Sequence, residues 1–181
     1  KSIGSSFNDA SVAFYFEHVV THAQYVSRFC NSAYRFIPGD TLLVGVSDKD
    51  LDVSEEADKV DVVVESSNGE KRTITLHEQA GYLGPGGEVR LPTAEMEGVH
   101  SGFFLGLLKT RTPDQTNASV RAAFPCTADD TLKVSYVDRE NTRPGVPFVR
   151  TASVSAARPT TPVVTLFHAR NKKVEDNSVA A

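Results

Sequence analysis

The sequence predicts an all-β protein, an antiparallel β-sandwich with an extension strand at each terminus. Three observations carry that expectation. Apolar residues recur at period two in short runs, as in Thr41-Leu42-Leu43-Val44-Gly45-Val46 and Lys59-Val60-Asp61-Val62-Val63-Val64, the pattern of a half-buried strand. Turn-forming clusters such as Pro38-Gly39-Asp40 and Asn68-Gly69 punctuate these runs at regular spacing. No stretch of ten or more residues has the 3.6-residue period of an amphipathic helix, so alternating βαβ units are excluded.

In chain order, residues 10–17 (ASVAFYFE) and 24–29 are rich in β-formers, while 17–24 between them reads equally as a helical turn. Residues 41–47 and 59–65 are strong strands. Asn68-Gly69 then supplies a hairpin turn, answered by clear alternation over 71–78 (KRTITLHE). The glycine-rich residues 81–87 read as a loop and 88–91 as a short edge strand. Residues 103–109, 119–124, 131–137 and 147–155 complete the body. The expected core is Leu42, Val44, Val46, Val62, Val64, Ile74, Leu76, Phe104, Leu107, Leu132, Val134 and Tyr136, with helix well below the general share of about a third.

At 181 residues and 40% hydrophobic, the chain can bury the core of one sizeable domain. Its net charge of −4 lacks the clustered basic face that nucleic-acid binding needs. The longest apolar runs fall far short of the roughly 18 residues of a membrane helix, so no span is expected. Lys1-Ser2-Ile3-Gly4 leads into polar residues rather than an apolar leader, which fits a processed, secreted product.

Two further features point outside the cell. Cys30 and Cys126 lie at the edges of expected strands, far apart in sequence, and a disulfide between them is expected. Closing so long a loop stabilises by about 4–5 kcal/mol in the chain-entropy picture. Two separate buried thiols are the alternative. Asn117-Ala118-Ser119 is an N-glycosylation sequon in a polar stretch, so Asn117 is expected on an exposed loop.

Chemistry is harder to find. Asp48, Asp50 and Asp52 alternate as calcium ligands do, with Glu55, Glu56 and Asp58 nearby, and a structural Ca2+ is the one cofactor the sequence suggests. Solvated turn-forming carboxylates are the plainer reading, since the glycine and terminal glutamate of an EF-hand are missing. His18 and His22 are four residues apart without the HExxH glutamate, and His77, His100 and His168 have no orienting partner in the sequence. Gly84-Pro85-Gly86-Gly87 lacks the Gly-Lys-Ser/Thr ending of a phosphate loop. No catalytic residues are assigned, and the protein is not expected to be an enzyme.

A longer pattern runs through these pieces. Tyr34, Pro38-Gly39-Asp40, the strand that follows, Asp48 to Asp52, Leu76 to Glu78, residues 98–110 (GVHSGFFLGLLKT) and 130–138 (DTLKVSYVD) occur in that order. The pattern resembles the Ig-like β-sandwich modules of prokaryotic surface-layer, adhesin and extracellular filament proteins. It covers roughly residues 24–154, departing from them at the glycine-rich insertion and the two cysteines. With no tryptophan to complete a Cys…Trp…Cys triplet, it is not a true immunoglobulin domain.

The resemblance divides the chain into an N-terminal arm (1–22), a sandwich (23–157) and a C-terminal extension (158–181). Val12, Phe14 and Phe16 share one face of a strand in the arm, and Val163, Thr165 and Phe167 share one in the extension. Either strand can pair within its own sandwich as an extra edge, or add to the sheet of a neighbour. The expected function is a structural subunit of an extracellular fibre or surface assembly, polymerising with itself by terminal strand addition. The alternative is a monomeric extracellular module that binds a carbohydrate or another cell-surface ligand, with glycans as partners.

Overall fold

Among the described residues, twelve strands and one 3₁₀ turn make up the regular structure of the computed structural model. It describes residues 9–21, 26–54, 56–79, 82–83, 89–91, 101–143 and 145–160. Expectations placed on Glu55, His22, His100, His168, Gly84 to Gly87 and the strand carrying Val163, Thr165 and Phe167 lie outside the described residues. The strands are β1 (Ser11–Thr21), β2 (Val26–Ser32), β3 (Arg35–Phe36), β4 (Thr41–Ser47), β5 (Lys59–Ser66) and β6 (Lys71–Glu78). They continue with β7 (Tyr82–Leu83), β8 (Val89–Leu91), β9 (Phe103–Arg111), β10 (Phe124–Pro125), β11 (Thr131–Asp138) and β12 (Phe148–Ala156). Among the described residues there is no α-helix.

The strands hydrogen-bond in the order β3-β12-β11-β5-β6-β9-β4-β1-β2-β8-β7, with β10 alongside β9. Pairing is antiparallel except for β3 with β12 and β10 with β9. This mixed sheet curls into a half-barrel. β6 and β9 pair only through His77↔Leu105 and Glu78↔Phe104. A glycine permits the close approach: a Cβ on Gly106 would sit 2.5 Å from Leu76 Cδ2 and 3.2 Å from the Thr75 carbonyl. On the opposite side, the chain leaving β2 passes to β12, where Ser155 N–H donates to Tyr34 O and Ala157 N–H to Phe36 O.

The main core lies between the two halves of the curl. β5 and β11 bury alternate residues, Val60, Val62 and Val64 on one and Leu132, Val134 and Tyr136 on the other, as the pleat dictates. Phe14, Leu42, Val44, Val46, Phe104, Leu108 and Phe124 meet them. Of the expected core, Ile74 is half-buried and Leu107 is 61% exposed, while the other ten residues are buried. Leu107 fails on parity, because Phe104 and Leu107 stand on opposite faces of β9 and the core takes Phe104 and Leu108.

The central strands are buried on both faces. Residues 42 to 46 are all buried, so β4 is not the half-exposed strand its alternation suggests. Behind it lies a second cluster of Tyr15, Cys30, Leu43, Phe103 and Leu105, with Ala13 packed against it. Tyr15 lies over Gly45, where a Cβ would meet its ring carbon at 2.6 Å, and meets Phe103 edge-on at 6.3 Å.

Three boundary expectations change. β1 runs on to Thr21 and pairs with β2 down to Thr21↔Val26, so 17–21 is strand and not a helical turn. Tyr82–Leu83, expected in a loop, form β7 against β8. Residues 119–123, expected as strand, form turns: Val120 N–H donates to Asn117 O and Ala123 N–H to Val120 O. Strand begins there only at Phe124.

The register places the loops at two ends. The loop after β4, the 139–147 loop and the entry to β1 share one end, where Tyr136 reaches Asp48 and Thr142 reaches Asp9. The residue 37–40 turn, β10, the Asn68-Gly69 turn and the exit from β12 share the other, joined by Thr110 N–H to Asp40 O and Ala156 N–H to Asp130 O. The described chain therefore enters at the first end, the carboxylate end, and leaves at the second, the exit end.

Candidate functional site: the first strand and the carboxylate end

β1 is built into the sheet. Its first half pairs with β4 from Ser11↔Ser47 to Tyr15↔Leu43, and its second half with β2 from Tyr15↔Ser32 to Thr21↔Val26. Phe14 is buried in the main core, and Val12 and Phe16 pack partly buried against it, which places the three expected side chains on one face. Phe14 belongs to the same core cluster as the buried residues of β5 and β11. Beyond Phe16 the strand turns outward: His18 stacks on Phe29 with centroids 5.5 Å apart, while Val19 and Val20 are exposed.

A polar anchor holds the start of β1. Arg150 on β12 donates from Nε and Nη2 to Asp138 Oδ2 at 3.0 and 2.9 Å, and its Nη2 lies 3.0 Å from Asp9 Oδ1. The Ala10 N–H also donates to Asp138 Oδ2. Asp9 Oδ1 accepts from the Thr142 hydroxyl and N–H, which hold its carboxyl below the usual value, with the Arg150 charge adding. Asp138 is fully buried, and its Oδ1 meets no donor among the described residues.

The expected calcium ligands do not converge as a trio. Asp48 is buried and committed to structure, its Oδ2 accepting from the Tyr136 hydroxyl at 2.5 Å and its Oδ1 from the Asp50 N–H, which starts the 3₁₀ turn Lys49–Leu51. Burial pushes the Asp48 carboxyl above its ordinary value; the two hydrogen bonds oppose the rise and the Asp138 charge adds to it. Burial and the bond to Asp48 push the Tyr136 phenol up as well.

The carboxylates that do come together are Asp52, Asp58 and Glu78, with ligand atoms within 4.8 Å of one another. Backbone donors already occupy two of them. Glu78 Oε1 accepts from the N–H groups of Ser101 and Gly102, and its Oε2 from that of Asp58. Asp58 Oδ2 accepts from Val53 and Ser54. These bonds make Glu78 and Asp58 the organisers of the loop between β4 and β5.

Cys30 and Cys126 are separate buried thiols, not a disulfide. The expected bridge fails because the two side chains lie in different clusters, Cys30 behind the sheet with Tyr15 and Cys126 in the main core. Burial and the neighbouring Asp130 charge push the Cys126 thiol up to about 11. Asn117 is exposed, in the turn-rich loop after β9, with its Oδ1 accepting from the Ser119 hydroxyl. Of the histidines within the described residues, His18 and His77 are both exposed.

Sequence reasoning passed over Asp9, Asp138 and Arg150 as functional residues. Asp9 and Ala10 lie about 130 positions from their partners, with |i−j| of 128 for the Ala10–Asp138 bond, so no local spacing announces the anchor. No known protein-family model matches this chain, and no curated protein sequence matches it.

Proposed function

We propose that this chain is a structural subunit of an extracellular fibre or surface assembly, in which copies join by exchange of a terminal strand. The observation that carries the reading is the seating of β1. The first described strand supplies Phe14 to the core and is held by a five-pair ladder to β4, a seven-pair ladder to β2 and a polar anchor, contacts that an identical strand from a neighbour reproduces. Swapping an identical element costs little at equilibrium, because the same bonds are remade between subunits. Where the exchange runs head to tail, it propagates as an open fibre.

The strand order supports the Ig-like kinship. Taking β1, β4 and β9 as strands A, B and E, and β5, β11 and β12 as C, F and G, the A-B-E and C-F-G neighbour sets of that sandwich both appear. The short sheet of β2, β8 and β7 is then an addition beside strand A.

A reversible lock tests the exchange. Ser11 and Ser47 are register partners on β1 and β4, so a Ser11→Cys/Ser47→Cys variant ties the strand to its own subunit. The wild type is expected to form fibres or large assemblies by sedimentation and electron microscopy. The oxidised variant is expected to stay monomeric and to assemble once reduced. Locked subunits that polymerise as well as the wild type would rule out exchange of β1, and a wild type that stays monomeric at high concentration ends the assembly reading.

A further inference from the structure

The Asn68-Gly69 turn that joins β5 to β6 carries more chemistry than a hairpin needs. Gly69 takes φ +94°, and both residues are exposed at the exit end of the sandwich. The Asn68 side chain is held at both of its polar atoms. Its Nδ2 donates to Asp130 Oδ2 at 3.1 Å, and its Oδ1 accepts from the Glu70 N–H at 2.9 Å. Asp130 is buried and held in place, its Oδ2 accepting also from the Thr127 N–H and its Oδ1 from the Ser67 hydroxyl. The Ser67 N–H donates to Thr131 O and the Thr131 N–H to Ser67 Oγ, so the same few residues tie the hairpin to the start of β11.

We propose that Asn68 is a site of spontaneous deamidation, and that its hydrogen bond to Asp130 sets the rate in the folded protein. An asparagine followed by glycine is open to this reaction because no side chain hinders the nitrogen that attacks. The Gly69 main-chain nitrogen gives up its proton to a solvent base and attacks Asn68 Cγ. That C–N bond forms as the bond from Cγ to Nδ2 breaks, and the side-chain amide leaves as ammonia, taking a proton from water. Water then adds to either carbonyl of the five-membered imide and opens it to aspartate or isoaspartate. The net exchange is water in and ammonia out, with no oxidant or reductant. Ring closure consumes two donors that the fold uses: the Gly69 N–H, which donates to Ser66 O at 2.9 Å, and Asn68 Nδ2. The folded turn therefore resists the step that the unfolded chain takes freely. The product fits worse still, because an aspartate at position 68 sets a carboxylate oxygen where an amide donor faced Asp130 Oδ2.

Peptide mapping by mass spectrometry, after incubation of the full chain at mildly alkaline pH, reads the rate. A converted residue is heavier by the difference between a hydroxyl and an amino group. The wild type in denaturant is expected to convert at Asn68 several-fold faster than the folded wild type. Asp130→Ala, shown to be folded by far-ultraviolet circular dichroism, is expected to convert faster than the folded wild type. An Asn68 that stays intact even in denaturant removes the site. A folded wild type that converts as fast as the unfolded chain, or a folded Asp130→Ala that converts no faster than the wild type, overturns the control by Asp130. Asn68→Asp, which is one of the two products, reads the consequence without that variant: its urea midpoint is expected to fall below that of the wild type, and an unchanged midpoint refutes the clash. Where Asp130→Ala folds, the same substitution in its background is expected to cost less, and equal losses would show that the new carboxylate does not act on Asp130.

Discussion

Tyr136 donates its phenolic hydrogen to Asp48 at 2.5 Å, tying the middle of β11 to the loop that follows β4. Both groups are buried, and the Asp48 carboxyl is raised, chiefly by burial. The folded state therefore holds a proton on Asp48 at pH values where the unfolded chain has lost it. Stability gains from this group as pH falls from the raised folded value toward the ordinary carboxylate value, and loses as pH rises through that window. Asp48→Asn removes the titration, so its melting temperature relative to the wild type should drop as the pH is lowered through the window. A difference that stays constant between neutral and acid pH would show that Asp48 does not titrate this way. Asp9 runs opposite: its lowered value adds stability above the ordinary carboxylate value, lost as pH falls through the lowered one. Tyr136→Phe leaves the Asp48 carboxylate short of one donor and should cost about 1–3 kcal/mol by denaturant unfolding.

Much of the fold was legible because most strands obey one rule at a time. β5, β6 and β11 alternate cleanly, and their limits match the expectation to within a residue. β9 was harder: Phe103-Phe104-Leu105 and Leu107-Leu108 are apolar at every position but Gly106, so period two selects no phase. The reason is physical, since a second cluster covers the far face of β9 and β4 and both parities are apolar. Residues 119–123 misled in the other direction. Val120 and Phe124 looked like strand, but Asn117 and Ser119 bond each other and the backbone closes i→i+3 turns. The anchor at Arg150 was illegible, since its partners lie on β11 and ahead of β1 and only folding brings them together.

The seating of β1 predicts a large loss from one truncation and little from two others. Phe14 is 2% exposed at the centre of the main core, so Phe14→Ala should cost about 3–5 kcal/mol. Val19 and Val20 are exposed on the outer half of the same strand, and changing either to threonine should stay within about 0.5 kcal/mol. Urea midpoints for the three variants separate core seating from surface pairing. Equal, small losses would mean that β1 does not complete the core.

Arg150 predicts a loss by a different route. Asp138 is fully buried, and the guanidinium is its charged partner among the described residues. Arg150→Ala strands that carboxylate in the interior, which should cost about 3–5 kcal/mol, most of it from the unpaired charge. The double variant Arg150→Ala/Asp138→Asn should recover part of the loss, as a double-mutant cycle can measure. No recovery would place the cost in lost packing around Phe148, whose ring lies 5.2 Å from the Arg150 guanidinium carbon.

The two cysteines predict slow, fold-dependent labelling. Both side chains are buried, and Cys126 carries a thiol pushed up to about 11, so almost none of it is thiolate at pH 8. Iodoacetamide should leave both residues unmodified in the native protein and modify both in denaturant without reductant, as intact mass reports. A native mass lighter by two hydrogens, with no labelling after unfolding, would restore the Cys30–Cys126 bridge.

Glu78 decides whether the carboxylate end is held by hydrogen bonds or by a cation. Its two oxygens accept three backbone N–H groups at 2.8, 2.9 and 3.2 Å, and a cation bound there would have to displace donors that already satisfy them. Glu78→Gln replaces one acceptor oxygen with an amide donor facing an N–H, which leaves a buried donor unpaired. The expected cost is about 1–3 kcal/mol, with the loss appearing first in the loop between β4 and β5 by hydrogen exchange. Because the N–H groups do the holding, chelator or added calcium should leave the melting temperature of the wild type unchanged. If calcium instead raises it, and Glu78→Gln or Asp52→Asn abolishes the rise, then Asp52, Asp58 and Glu78 hold the ion and the backbone bonds describe only its absence.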